Sequence, residues 1–329
     1  MRLKFLGDVY LDNAYRIDFD LDHFVFNLEY PLSTRGRPAE EKVNLGNDDK
    51  THLLKTFKQK PLAVNLANNH IMDYGEESLA ETLSFLEKEG IRHFGAGDRT
   101  NNFNNPLVVD FNGKKIAMFA YCCASTSPVH GSETNMGAAP LDIEAIKSDL
   151  HMNTDDGIDF KIVHLHWGDE EIRYPKPGDI EKAHTIIDSG ADMIIGHHAH
   201  TVQSVEEYKG KYIFYGLGNF LFPDLDVPCR FDGKKFTRRY EKVQQRHNRY
   251  SMMVGLDASF AVTTECTEFD RNVVRLTSKN LLSRRLITSE KLYRLYRRYM
   301  KKKGTIVRFL KQPKIPSGKQ IKIFFGLSK

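Results

Sequence analysis

Five apolar runs in this 329-residue chain end in side chains that bind hard or borderline cations. They are Gly7-Asp8, Asn27-Leu28-Glu29, Asn68-Asn69-His70, His164-Leu165-His166-Trp167-Gly168 and Gly196-His197-His198-Ala199-His200. One such run would mean little. Together they offer carboxylate oxygens that bridge ions and neutralise their charge, an amide oxygen and several imidazoles, a donor set suited to Mn, Fe or Zn. Two divalent metal ions about 3.5–4 Å apart lower the pKa of a water between them and so supply a nucleophile at neutral pH. The chemistry these residues predict is metal-assisted hydrolysis.

Holding them at one place calls for strands whose ends converge, which is where a layered α/β domain carries its functional residues. The hydrophobic pattern predicts strands over residues 3–6, 24–27, 62–66, 116–121, 160–165, 193–195, 202–206 and 212–215. Helices are predicted over 49–59, 76–89, 141–150 and 178–189. Asn112-Gly113 reads as a hairpin turn and Lys209-Gly210-Lys211 as a weaker one, so part of the sheet is antiparallel. The first strand is not followed by GxGxxG, which speaks against a dinucleotide-binding fold. Residues 224–249 are polar and basic and read as a long loop before a last group of strands ending near Thr277.

The ordered motifs GD, NLE-x-PL, LANNH-x-x-DYG, HWG-x-E, GHHAH and LGNFLF span about residues 1–225. In this order they resemble the bacterial capsule and poly-γ-glutamate biosynthesis proteins, a branch of the calcineurin-like metallophosphoesterases. The resemblance implies an α/β sandwich of two mixed sheets flanked by helices, with metals at the strand ends. It implies that Asp8 and His200 serve one ion, that Glu29 bridges, and that Asn69, His166 and His198 serve the second. His70 would face substrate as the catalytic residue. The wider pattern has Asp-x-His in the first loop where this chain reads Asp8-Val9-Tyr10, so the first site is short of an imidazole. His197 leaves the register of the GHHAH motif open by one position. With Tyr10, Glu170 and Asn219, it is a candidate for contacts to substrate or to the ligand side chains.

Other residues have plainer readings. His52, His151, His184 and His247 read as surface or capping residues, and Asp73 and Gly75 as the start of the helix at 76. Trp167 and Phe220 read as packing beneath the site. His164 and His166 alternate along one strand and are read as pointing to opposite faces, so that only one reaches the site.

Four cysteines without CxxC spacing suit a reducing compartment, with Cys122 and Cys123 as buried thiols. The opening MRLKFLGDVYLD leaves no room for a signal peptide, and no apolar run is long enough for a membrane span, so a cytoplasmic location is expected. Of 48 Lys and Arg and 43 Asp and Glu, residues 279–329 hold 16 basic side chains and one acid, Glu290. A mildly acidic catalytic domain over 1–277 thus precedes a strongly basic region over 278–329. In that region Leu292, Leu295, Tyr296, Tyr299 and Met300 recur at helical spacing after Ser289 as N-cap, with Arg294, Arg297, Arg298, Lys301 and Lys302 opposite. Such a helix either lies on an anionic membrane at the inner face of the cell, with Phe309, Phe324 and Phe325 as further anchors, or packs on the catalytic domain. Nucleic acid is a weaker expectation, since no recognition motif accompanies the charge.

The resemblance implies a pathway more firmly than a reaction. Hydrolysis of a phosphoester, or of a γ-glutamyl amide in an anionic polymer, is one reading. A non-catalytic, metal-stabilised scaffold that binds polymer or polymer synthase subunits is the other.

Overall fold

The computed structural model describes residues 1–152 and 157–311, the side chains of 307–311 excepted. Along its central strands neighbouring residues face different cores, as the two-residue period of a strand requires. In Lys114–Cys122, the side chains of Ile116, Met118, Ala120 and Cys122 join the core that also holds Phe5, Val25 and Val64. Between them, Ala117, Phe119 and Tyr121 join a second core. It is completed by Ile146 of helix Ile143–Met152 and by Ile180, Ala183 and Ile186 of helix Pro177–Asp188.

These strands lie in two mixed sheets. The first runs in the order Arg16–Ile17, Val273–Thr277, Val262–Asp270, Tyr250–Leu256, Leu3–Val9, Phe24–Leu28, Ala63–Asn65 and Arg92–Phe94, with Asn219–Leu221 also paired to Leu3–Val9. Its last four strands are parallel, and Tyr250–Leu256 joins Leu3–Val9 antiparallel. The second sheet runs Val205–Tyr208, Lys211–Phe214, Met193–His197, Phe160–His166, Lys114–Cys122 and Leu107–Phe111. Its four inner strands are parallel and its two edges are antiparallel hairpins, one at Asn112-Gly113 and one at Lys209-Gly210. Phe5 and Phe94 of the first sheet reach the His164 ring of the second, with ring centres 5.7 and 5.3 Å apart. The outer side of the first sheet is covered where Phe57, after helix Thr51–Thr56, stacks on Phe24 and Phe26. The expected α/β sandwich of two mixed sheets with flanking helices is the observed architecture.

Three expectations need correction. Residues 224–249 are not a loop: Leu225–Phe231 and Phe236–Lys242 form an antiparallel hairpin. Leu225, Val227 and Cys229 point inward, but Pro228 lies between them, and the partner strand Phe236–Lys242 is mostly polar and charged, which hides the pattern. Asp232 closes the turn by accepting from Lys234 N and Lys235 N at 3.0 and 2.9 Å, and Gly233 takes φ +89°. The strand expected over 202–206 is displaced to Val205–Tyr208. Helix Glu76–Glu89 is entered from Gly75 without a side-chain cap, and Asp73 is engaged elsewhere.

The last strand of the first sheet ends at Thr277, and helix Glu290–Lys311 follows. Ser289 Oγ accepts from Leu292 N at 3.5 Å, at the N-cap position. The apolar stripe expected on this helix is split. Tyr293 is buried, Tyr296 meets the Tyr174 ring at 5.0 Å, and Arg297 turns to the same side to bond Asp169. Leu292, Leu295 and Tyr299 face away and are exposed. Helical periodicity alone does not separate one broad stripe from two narrow ones. Phe324 and Phe325 lie outside the described residues, as does the side chain of Phe309. Among the described residues, no helix is long and apolar enough to cross a membrane, and all four cysteines are free thiols.

Candidate metal centre

The site is built where strands of both sheets end against one another. Gly7 permits the closest approach. A Cβ there would lie 1.9 Å from Gly218 O and 2.7 Å from Ser251 Oγ, so only glycine lets Leu3–Val9 pass. The pairing of this strand slips between Phe5 and Asp8 on one side and between Asp8 and Val9 on the other. Such irregularities re-aim a side chain, and Asp8, fully buried, sits at this one.

Glu29 follows the neighbouring strand and is also fully buried. Asn27, in the same strand, donates from Nδ2 to Asp8 Oδ1 at 2.9 Å and lies 3.4 Å from Glu29 Oε2, tying the two carboxylates together. Asn68 holds the next loop: its Nδ2 donates to Asn27 Oδ1 and Leu28 O, and its Oδ1 accepts from His70 N and Ile71 N. That loop brings Asn69 Oδ1 within 2.8 Å of His166 Nε2. From the second sheet come His198 and His200, on a turn where both have positive φ, 81° and 52°. Non-glycine residues in that region carry about 1–3 kcal/mol of strain and gather at functional sites. His200 Nε2 lies 3.5 Å from Glu29 Oε1, and His200 Nδ1 lies 2.9 Å from Asn219 Oδ1.

Two groups of donor atoms result, each with its atoms within 4.8 Å of one another: Asp8, Glu29 and His200, and Glu29, His166 and His198. Glu29 belongs to both. Its Oε1 is buried without a hydrogen-bond partner, as are His166 Nδ1 and His198 Nδ1. Buried polar atoms are nearly always satisfied, so unpartnered atoms on residues whose donors cluster this closely mark a place suited to a cation. The electrostatics agree. Burial, with the charges of Asp8 and Glu170 added, pushes the Glu29 carboxyl well above its ordinary range. Burial and neighbouring imidazoles push His166 well below its own, and burial is the main cause that brings His198 down to about 4. The histidines are therefore neutral, with lone pairs to give, around a carboxylate that lacks a positive partner.

The remaining candidates fall around this cluster. His70 Nδ1 lies 2.6 Å from Asp73 Oδ2. Asp73, fully buried, also accepts from Leu45 N and pairs with Lys42 Nζ at 2.6 Å. Asp73 thus orients His70 where the sequence reading made it a helix cap; its place three residues after His70 was the signal available. Lys42, which also donates to Asn69 O at 2.6 Å, comes from a loop with no motif to mark it. Half of the Glu170 side chain is exposed at the rim. Partial burial works to raise its carboxyl, but His200, Lys242 and His198 bring it down to about 2.

His197 turns away from the cluster. Its Nδ1 lies 3.0 Å from Asp8 Oδ1 and its Nε2 3.3 Å from His164 Nδ1, so it supports Asp8 from within the core. The expectation for His164 and His166 was wrong on geometry: residues two apart share a face of a strand. Both point toward the first sheet, His164 deep in the core and His166 at the strand end, while Leu165 and Trp167 face the helices. Trp167 donates from Nε1 to Tyr215 O at 3.0 Å. Tyr10 is buried against Tyr30 and Phe222, with ring centres 5.1 and 5.5 Å away, and it belongs to neither donor group.

Two mixed sheets packed face to face, with carboxylates, an amide and imidazoles gathered at their strand ends, define an α/β sandwich with a candidate metal centre. The chain belongs to the bacterial capsule synthesis protein PGA_cap family, whose model matches residues 9–224. It is 29% identical over 207 residues to the capsule biosynthesis protein CapA of Bacillus anthracis, covering 61% of this chain and 50% of that one. It is 30% identical over 205 residues to the PGA biosynthesis protein CapA of Bacillus subtilis (strain 168), covering 61% and 53%. The chain thus spans about half the length of the curated relatives it matches. A 5'-nucleotidase precursor from Thermus thermophilus superposes with a TM-score of 0.38 at 15% identity, covering 78% of this chain and 45% of that one.

Proposed function

We propose that this protein is a metal-dependent hydrolase that cleaves a phosphoester, or a γ-glutamyl amide, in the synthesis of capsule, poly-γ-glutamate or another surface polymer. The observation that carries the reading is the pair of donor groups sharing Glu29, whose inner oxygen has no partner in the protein. Asp8, Glu29 and His200 would hold one divalent ion, and Glu29, Asn69, His166 and His198 a second. When bound, such ions supply Lewis acidity, drawing substrate oxygens into place and making a water acidic enough to attack at neutral pH.

The protein's own groups do the rest. His197 and Asn27 fix the Asp8 carboxylate, and Asn219 fixes the His200 ring. Asp73 engages His70 at Nδ1, which leaves Nε2 as the atom able to meet substrate. Burial keeps the His70 ring neutral at rest. Nε2 then carries no proton at rest; a proton it takes from the attacking water makes an imidazolium that Asp73 stabilises, and His70 can pass that proton to a departing oxygen or nitrogen. Placing the reaction in polymer synthesis follows the names of the relatives.

The test is metal analysis of the purified protein, then a screen of phosphomonoesters, phosphodiesters and γ-glutamyl peptides with Mn added back. Hydrolysis of one class is expected, abolished by chelator and restored by metal. Protein that takes up no stoichiometric metal and cuts none of the three would overturn the reading in favour of a non-catalytic scaffold.

A further inference from the structure

We propose that the outward face of helix Glu290–Lys311 is a docking surface for an anionic lipid bilayer. The inward face is occupied. Tyr293 is 3% exposed and donates its hydroxyl to Asp169 Oδ2 at 2.8 Å, Arg297 donates to Asp169 Oδ1 at 3.2 Å, and Tyr296 packs on Tyr174. Asp169 is the residue before Glu170, so the helix is seated on the loop at the rim of the metal centre.

What remains outward is a second apolar stripe. Leu292, Leu295, Tyr299 and Ile306 are 59, 53, 60 and 48% exposed. At 100° per residue the four fall within an arc of about 60° and extend along roughly 20 Å of helix. Single exposed apolar side chains are ordinary; four aligned on a face turned away from the fold are not. Exposed basic residues border the stripe, with Lys291 and Arg298 on one side and Lys303 on the other, and Glu290 is the single acid in the helix.

The combination selects the occupant. A soluble polyanion would use the charges and leave the leucines idle, and a partner helix would need a ring of acids around an apolar seam. An anionic leaflet uses both, since apolar side chains enter the acyl boundary while Lys and Arg meet the phosphates. No candidate metal ligand takes part, so this surface is independent of the hydrolytic reading.

The experiment is co-sedimentation of the full chain with phosphatidylcholine vesicles, with and without phosphatidylglycerol, at physiological salt. Binding is expected only where phosphatidylglycerol is present. Combined Leu292→Ser, Leu295→Ser and Tyr299→Ser should weaken it by at least about tenfold, and Lys291→Ala and Arg298→Ala by about fivefold each. All five positions are exposed and the Tyr293, Tyr296 and Arg297 contacts stay intact, so an unchanged melting temperature verifies that the variants are folded. The proposal is overturned if wild-type protein stays in the supernatant. It is equally overturned if the leucine and tyrosine variant binds as wild type does, or if soluble polyglutamate displaces wild type while that variant is displaced alike, since charge alone would then explain the binding.

Discussion

Replacing Glu29 with Gln should stabilise the metal-free protein and remove its stabilisation by metal. Glu29 is fully buried, its Oε1 has no partner, and the negative charges of Asp8 and Glu170 lie close by. Its carboxyl is therefore raised well above the ordinary value of 4.5. The folded protein retains a proton that the unfolded chain releases above that value, so stability falls as pH rises through the interval between the two. The slope from this one group is at most about 1.4 kcal/mol per pH unit. Gln keeps the shape and carries no charge, so Glu29→Gln should recover on the order of 1–3 kcal/mol at neutral pH, that slope taken over the interval from 4.5 toward 7. At roughly 2 °C per kcal/mol for a chain of this size, the chelated variant should melt a few degrees above chelated wild type. The gap should narrow as pH falls and close below about pH 4.5, where the carboxyl is protonated in both states. Added Mn should stabilise wild type by about 2.7 kcal/mol at a hundredfold excess over Kd, raising its midpoint, and barely move the variant. Differential scanning fluorimetry across pH, with chelator and with Mn, reads all of this. A chelated variant less stable than chelated wild type, with an undiminished response to Mn, would refute both the uncompensated charge and its role as bridge.

His70→Ala should reduce turnover at least about a hundredfold with metal content nearly unchanged, while Asp8→Ala should lose metal as well; elemental analysis beside the activity assay separates the two, and equal metal loss would make His70 a ligand. Gly7→Ala should destabilise the protein by more than about 3 kcal/mol, since the added methyl meets the Gly218 backbone at 1.9 Å; a denaturant midpoint close to wild type would show that the strand can move aside.

Which side chains gather at the candidate centre was legible in the sequence because the site depends on residue type at strand ends. Asp8, Glu29, Asn69, His166, His198 and His200 all lie in short motifs after apolar runs, and strand direction alone brings such ends to one edge of a sheet. The mixed sheets were legible in part, from the Asn112-Gly113 turn. The Leu225–Lys242 hairpin was not, because Pro228 stands within its first strand and its second, Phe236–Lys242, has almost no buried apolar face. Orientation around the centre was decided by the tertiary structure. His197 and His198 are neighbours with the same chemistry, and only the turn at His198 sends one inward to Asp8 and the other to the cluster. Asp73 reads from its position as a helix cap, and only the closing of the loop from Leu45 shows it as the partner of His70. The same holds for helix Glu290–Lys311. Its amphipathic character is a property of spacing, but which apolar residues are covered depends on where Asp169 and Tyr174 stand, and those positions come from packing between segments more than a hundred residues apart.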